Sequence, residues 1–343
     1  MNNKLSTSAA DQENLAVTVV VPAYNAEGFI ESTLKTIIVQ QGVNFELIVV
    51  NDGSTDGTEE VARSVLDSSQ NSATFSRIIR TENCGVSSAR NMGLISARGE
   101  YVIFFDSDDL MSKDCLSSIY RKARETQADI LAFGYDVVDF NGETIRRFED
   151  KYQYLCEPTD GRTVLLLMMK NKTWLWTGSV LYNKSFLRKH MLKYQPGATN
   201  GEDVEFTMKA LYVAEKVAFE EQSLAKSVVR IRSASRINGY RHFHTVGSLR
   251  RLRRFLEAQG AQKEIMEMMD SNLIPRAYVG AIASLALGGF PSRKLINLMN
   301  VQIIGEQIRR YEGQSMKDKL VKVLLIHFPN LYFSYLRYKG KRL

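Results

Sequence analysis

Strand and helix signals alternate over the first hundred residues, and no other property of the chain restricts its fold as much. Leu15 to Val21 (L-A-V-T-V-V-V) is a β-branched run that ends at Pro22. Phe45 to Val50 (F-E-L-I-V-V) and Tyr101 to Phe105 (Y-V-I-F-F) are two more such runs. Each is too short for a helix and has no helical period, so each reads as a buried strand; Ser76 to Arg80 reads as a weaker one. Between them Phe29, Thr33, Ile37 and Ile38 recur at helical spacing, as do Val61, Val65 and Leu66, and Asn83 to Arg98 supplies another turn and helix. This order calls for an α/β protein, with a mostly parallel sheet and helices on both faces.

In an open α/β sheet, ligands bind outside the carboxyl ends of the strands. Those ends are polar here. Tyr24 and Asn25 follow the first strand, Asp52 and Gly53 the second, and Asp106, Ser107, Asp108 and Asp109 the last. Three acids packed so closely repel one another. A cation or a ring of donors relieves the repulsion, and oxygen ligands suit a hard ion such as Mg²⁺ or Mn²⁺. The same acids could instead cap a helix, because the chain from Met111 looks helical. Asp52, at a strand tip, can accept from a base N–H or a ribose hydroxyl, or close an Asx-turn. Ser54 and Asp56 read as caps of the next helix.

The 343 residues suffice for one large and one small domain. Cys84, Cys115 and Cys156 make no C-x-x-C pair, which argues against a disulfide framework or a zinc site and fits a reducing compartment. Residues 1–14 are polar, read as a flexible tail, and lack the apolar core of a signal peptide, so a cytoplasmic place is expected. No apolar run is long enough to span a bilayer. Charge is uneven. Residues 241–343 hold 18 Lys and Arg against 7 Asp and Glu, whereas the remaining 240 hold 27 against 31. A basic region following an acidic one suggests an anionic partner, either nucleic acid or a lipid surface.

Four blocks together resemble glycosyltransferase family 2, the inverting enzymes of GT-A fold. They are V-V-V-P-A-Y-N, V-V-N-D-G-S-T-D-G-T, N-C-G-V-S-S-A-R-N-M-G and R-G-E-Y-V-I-F-F-D-S-D-D, in the family's order and spacing across roughly residues 16–115. The resemblance implies a GT-A catalytic domain over 15–240, with a nucleotide-sugar half (15–115) and an acceptor half (116–240), followed by a basic, mainly helical region (241–343). It implies that Pro22, Ala23 and Tyr24 line the base, that Asn25 belongs to the nucleotide-sugar site and that Asp52 holds the uracil or ribose. Arg90, or the backbone of its loop, would face the nucleotide. Asp106 and Asp108 resemble the D-x-D carboxylates that carry a divalent metal (Mn²⁺ or Mg²⁺), the diphosphate and the ribose, with Ser107 between them. A metal there makes sense chemically, because breaking a sugar–diphosphate bond leaves charge on the leaving group.

The family keeps its general base in an acidic pair before an aromatic residue, and G-E-D-V-E-F at Gly201 to Phe206 fits that pattern. Asp203 is the expected base, with Glu202 as its neighbour and alternative. The same acids could simply open an amphipathic helix. Trp174 and Trp176 are candidates for stacking on an acceptor sugar, with core packing as the alternative. Arg232, in S-V-V-R-I-R-S-A-S-R, resembles a diphosphate contact. His242 or His244 could add a third metal ligand. Near the end, V-L-L-I-H-F-P-N-L-Y-F-S-Y-L-R-Y-K-G-K-R-L combines apolar and basic residues, which suits a helix in the headgroup layer or one packed on the protein. The expected reaction moves a sugar, with inversion, from a UDP-sugar to a saccharide acceptor. That acceptor would be lipid-linked, at the inner face of the cell membrane, in surface polysaccharide assembly. Two other classes stay open. One is a metal-dependent nucleotidyltransferase, although its glycine-rich basic loop is missing. The other is a nucleic-acid-binding protein, which would not need these acids. No G-x-G-x-x-G follows the first strand, which disfavours a dinucleotide oxidoreductase.

Overall fold

The computed structural model describes residues 15–68, 74–230 and 239–340. The chain divides into two compact units, one of residues 1–197 and 210–230, the other of residues 198–209 and 231–343.

The first unit is built on a mixed sheet. Strands β1 (Val17–Ala23), β2 (Phe45–Asp52), β3 (Thr74–Thr81) and β4 (Tyr101–Phe104) are joined by helices α1 (Ile30–Ile38), α2 (Thr58–Ser68) and α3 (Val86–Ser96). They lie in the order β3-β2-β1-β4, all parallel. β1, β2 and β4 are buried along their whole length, which is why their sequences read as unbroken apolar runs. The chain runs outward from β1 to β3 and then returns to the other side of β1. The carboxyl ends of β1 and β4 therefore flank the point where strand order reverses, the place where such sheets bind ligands.

Beyond β4 come β5 (Leu110–Met111), α4 (Cys115–Thr126), β6 (Ile130–Val138), β7 (Thr144–Arg146), α5 (Gly161–Met169), β8 (Val180–Asn183) and α6 (Lys184–Lys189). Helix α7 (Glu202–Val213) and strand β9 (Val217–Val228) follow. β8 is antiparallel to both β4 and β6, β9 is parallel to β6, and β5 is antiparallel to β9. The far half of the sheet is thus mixed where the near half is parallel. At the opposite strand ends a polar knot ties the sheet. Buried Glu46 accepts from Thr18 Oγ1 (2.9 Å), Arg77 (3.0 Å) and the Arg98 N–H (2.9 Å), so the acid is fully compensated.

The second unit is helical. α8 (Phe243–Ala258) buries Val246, Leu249, Leu252 and Leu256, the stripe its spacing predicts. α9 (Lys263–Met268), a π-helical turn (Met269–Leu273) and α10 (Ile274–Leu287) follow. Then come α11 (Ser292–Met299), α12 (Gln302–Arg310), α13 (Met316–His327) and α14 (Pro329–Gly340). α10 buries Tyr278, Ile282 and Leu285 at the centre of this unit. The first part of α7 belongs here, because Glu205 accepts from Arg251 on α8 through two nitrogens, at 2.7 and 2.9 Å, and from Lys209 at 2.6 Å.

Candidate active site

The loops at the carboxyl ends of β1 and β2 are laced together. Asn25, in the left-handed region (φ 48°), accepts from Thr55 N, and its own N–H donates to Ser54 Oγ. Ser54 N in turn donates to Asn51 Oδ1. Asp56 accepts from Thr58 N at the start of α2 and from Glu27 N at 3.2 Å. Asp56 therefore closes the turn into α2 and, like Ser54, bridges the two loops. Pro22 and Ala23 are buried in the strand end, while Tyr24 stays 49% exposed and offers its ring to the surface.

Asp52 is buried at the tip of β2. Its carboxylate accepts from the backbone N–H groups of Cys84 (2.9 Å) and Gly85 (2.8 Å), and from Thr81 Oγ1 at 3.4 Å. It holds the loop that opens α3. Gly53 beside it has φ +71°, and a Cβ there would come within 2.7 Å of Asn83 N, so the turn requires glycine. α3 then lies hard against β1, since a Cβ on Gly93 would stand 2.2 Å from Val20 Cγ1. That approach carries Arg90 to the end of β4. Arg90 is 4% exposed, donates to Asp106 Oδ1 at 2.8 Å, and stacks 5.1 Å from the Tyr194 ring centre. It reaches the site through Asp106.

The acids themselves form a tight loop fixed from three sides. Thr33 Oγ1 donates to the Ser107 carbonyl and Met111 N donates to Thr36 Oγ1, both from α1. Asp109 is buried and accepts from Val228 N at 2.8 Å, at the end of β9. α4 starts only after β5 intervenes, so these acids cap no helix. Burial, then the charge of Asp106, pushes Asp108 up to about 6, against the pull of Arg230. Burial first, then Asp108 and Asp106, raises Asp109 well above the usual carboxylate range. Arg230 is the group that the sequence pattern did not single out. Its Nε lies 3.6 Å from Asp108 Oδ2, and its guanidinium stacks 4.4 Å from the Phe29 ring centre. No local signal marked it, because Arg230 lies two residues beyond β9 in the same stretch that holds Arg232. Arg232, the residue chosen from that run, lies outside the described residues.

This donor set fits a hard divalent cation. It is all oxygen, crowded and short of positive charge, and Asp108 and Asp109 hold protons more tightly than ordinary carboxyls. Among the described residues no three His, Cys, Asp or Glu side chains form a ready metal cage.

The family model for glycosyl transferase family 2 matches residues 18–191, just over half of the chain. The chain belongs to glycosyl transferase family 2. The transferase GlyA of Streptococcus pneumoniae is 33% identical over 238 residues, 64% of this chain and 32% of GlyA. The cholesterol galactosyltransferase of Borreliella burgdorferi is 25% identical over 315 residues, 90% of this chain and 82% of its own. The chain spans between about a third and just under two thirds of the length of the first curated relatives. Among solved structures, residues 1–349 of TarS from S. aureus with UDP-GlcNAc superpose with a TM-score of 0.65 at 19% identity, over 96% of this chain and 92% of that one. The likeness is one of fold, a GT-A-type sheet followed by helices.

The other family-type residues fall in two places. Trp176 packs against Tyr135 (5.0 Å) and Phe105 (6.3 Å) and over Gly178, so it belongs largely to the core, as does half-buried Trp174. Glu202 and Asp203 lie in the second unit, in the first turn of α7. Glu202 is buried, and Asp203 Oδ1 accepts from Val204 N. His242 and His244, at the start of α8, also lie in the second unit, with His244 exposed.

Proposed function

We propose that this protein moves a sugar, with inversion at the anomeric carbon, from a nucleotide diphosphate sugar to a saccharide acceptor. The observation that carries the reading is the crowded acid loop Asp106–Asp109, in which Asp108 and Asp109 are raised, at the switch point between β1 and β4. UDP is the proposed nucleotide, supported by the fold shared with a structure holding UDP-GlcNAc. Tyr24, Asn25 and Asp52, beside buried Pro22 and Ala23, would take the base and ribose. Asp106 and Asp108, with Ser107 between them, would hold Mg²⁺ or Mn²⁺, which supplies charge to the leaving diphosphate. Arg90 fixes the Asp106 carboxylate. Arg230, already beside Asp108, and Arg232 would face the same phosphates. Asp203, with Glu202 next to it, would take the proton from the acceptor hydroxyl, and Trp174 and Trp176 would border the acceptor.

The acceptor we propose is lipid-linked, in polysaccharide assembly, with the protein peripheral on an anionic membrane surface. A cholesterol galactosyltransferase matched over most of both chains supports an acceptor of lipid character. Among the described residues no helix is long and apolar enough to cross a membrane.

The test is nucleotide release from a panel of UDP-, GDP- and CDP-sugars with lipid extracts as acceptor. Release that needs a divalent cation, and that falls with Asp108→Ala and Asp203→Asn, supports the reading. Turnover unaffected by either substitution contradicts it.

A further inference from the structure

α13 and α14 carry apolar residues on the sides that face away from their own unit. On α13 the buried side is marked by Leu325. On the opposite side Met316, Leu320 and Val323 recur at i, i+4 and i+7, and are 81%, 58% and 47% exposed. On α14 the buried side holds Tyr332, Phe333 and Leu336. Leu331, Tyr335 and Tyr338 repeat the same spacing on the outer side and are more than half exposed, and exposed Phe328 links the two stripes. Solvent-facing apolar residues in a continuous pattern mark a surface that something covers.

The charges around the stripes say what that is. From Met316 onward the sequence holds seven Lys and Arg against one acid. The acid, Asp318, is engaged in a reciprocal cap with Ser315. Arg337 is engaged too, donating to the Phe290 carbonyl (2.7 Å) and to Ser292 Oγ (3.0 Å). Lys317, Lys319 and Lys322 flank the α13 stripe on both sides and form no ion pair among the described residues. Two copies meeting through this face would bring like charges together, whereas an anionic bilayer offers the opposite charge and an apolar interior at once.

We infer that the α13–α14 hairpin is the membrane-docking element of this protein. Met316, Leu320, Val323, Phe328, Leu331 and Tyr335 enter the headgroup layer, and Lys317, Lys319 and Lys322 pair with anionic lipid. The inference deepens the peripheral-membrane reading given above and rests on it.

Co-sedimentation of the full chain with vesicles, without donor or acceptor, tests it. Vesicles of phosphatidylcholine alone are compared with phosphatidylcholine plus phosphatidylglycerol. Two variants are used, Leu320→Ser/Leu331→Ser/Tyr335→Ser and Lys317→Gln/Lys319→Gln/Lys322→Gln. All six positions lie on the surface or part-way to it, and circular dichroism checks that both variants keep the wild-type melting curve. The wild type is expected to bind the anionic vesicles and to lose binding as salt rises. The lysine variant should bind about a hundredfold more weakly, at about fivefold per charge. The apolar variant should bind at least about tenfold more weakly. Variants that bind like the wild type would overturn the assignment to this hairpin while leaving membrane binding intact. A wild type that ignores anionic vesicles would overturn the membrane reading as well. Self-association of the wild type that the apolar variant abolishes, without vesicle binding, would make a second copy the occupant and overturn the inference too.

Discussion

Asp108 and Glu205 each stand among other acids in the sequence, and the structure treats them in opposite ways. Glu205 is buried and answered in full, by Arg251 through two nitrogens and by Lys209. Asp108 shares its loop with two more carboxyls, has one arginine at 3.6 Å, and holds its proton up to about 6. The first arrangement stabilises the fold. The second leaves repulsion that a ligand can relieve, and such incomplete compensation is what marks a site. Removing either charge should therefore affect different quantities.

Neutralising Asp108 should have the largest effect, and on activity alone. Asp108→Asn is expected to cut turnover about a thousandfold, since about 4 kcal/mol of charge stabilisation is lost with it. The same variant should melt no lower than the wild type. A fall in melting temperature as large as that of a core mutant would break the contrast. Arg251→Met should do the reverse in stability, because it leaves the Glu205 carboxylate buried with less compensation. A loss of about 3 kcal/mol in urea unfolding is expected.

The pH dependence sharpens the same contrast. The folded-state value of Asp108, about 6, lies above its ordinary 3.8. A raised carboxyl favours folding most when protonated, so its contribution is full below the ordinary value and is lost as pH rises through about 6. In chelator, the apo protein should lose about 1 kcal/mol between pH 4 and 7 from this group, after allowance for solvent screening, and Asp108→Asn should remove that slope. The smallest effect concerns a plain helix cap. Asp160 accepts from Thr163 N at the start of α5, so Asp160→Ala should cost about 1 kcal/mol in a thermal melt and leave nucleotide binding unchanged.

The near half of the sheet was legible because parallel strands buried on both faces write themselves as continuous apolar runs, and β1, β2 and β4 do so. The acid loop was legible for a related reason, since strand ends are where an α/β sheet binds. What the linear pattern concealed depends on long-range pairing. The pairing of β5 with β9 brings Val228 and Arg230 to Asp109 and Asp108, across more than a hundred residues. Nothing local distinguishes Arg230 from Arg232. Ser54 looked like a cap because serine before a helix usually is one, yet its hydroxyl is claimed by Asn25, 29 residues earlier. Similarly, G-E-D-V-E-F does not show that its last acid serves Arg251, 46 residues on.

The most direct measurement is titration calorimetry of UDP into the wild type and Asp108→Asn, each with and without Mn²⁺. Binding that needs the cation, and that Asp108→Asn abolishes while the protein melts normally, is the predicted result. UDP binding of equal strength in both proteins, with or without Mn²⁺, would contradict the assignment of the acid loop as a cation-dependent nucleotide site.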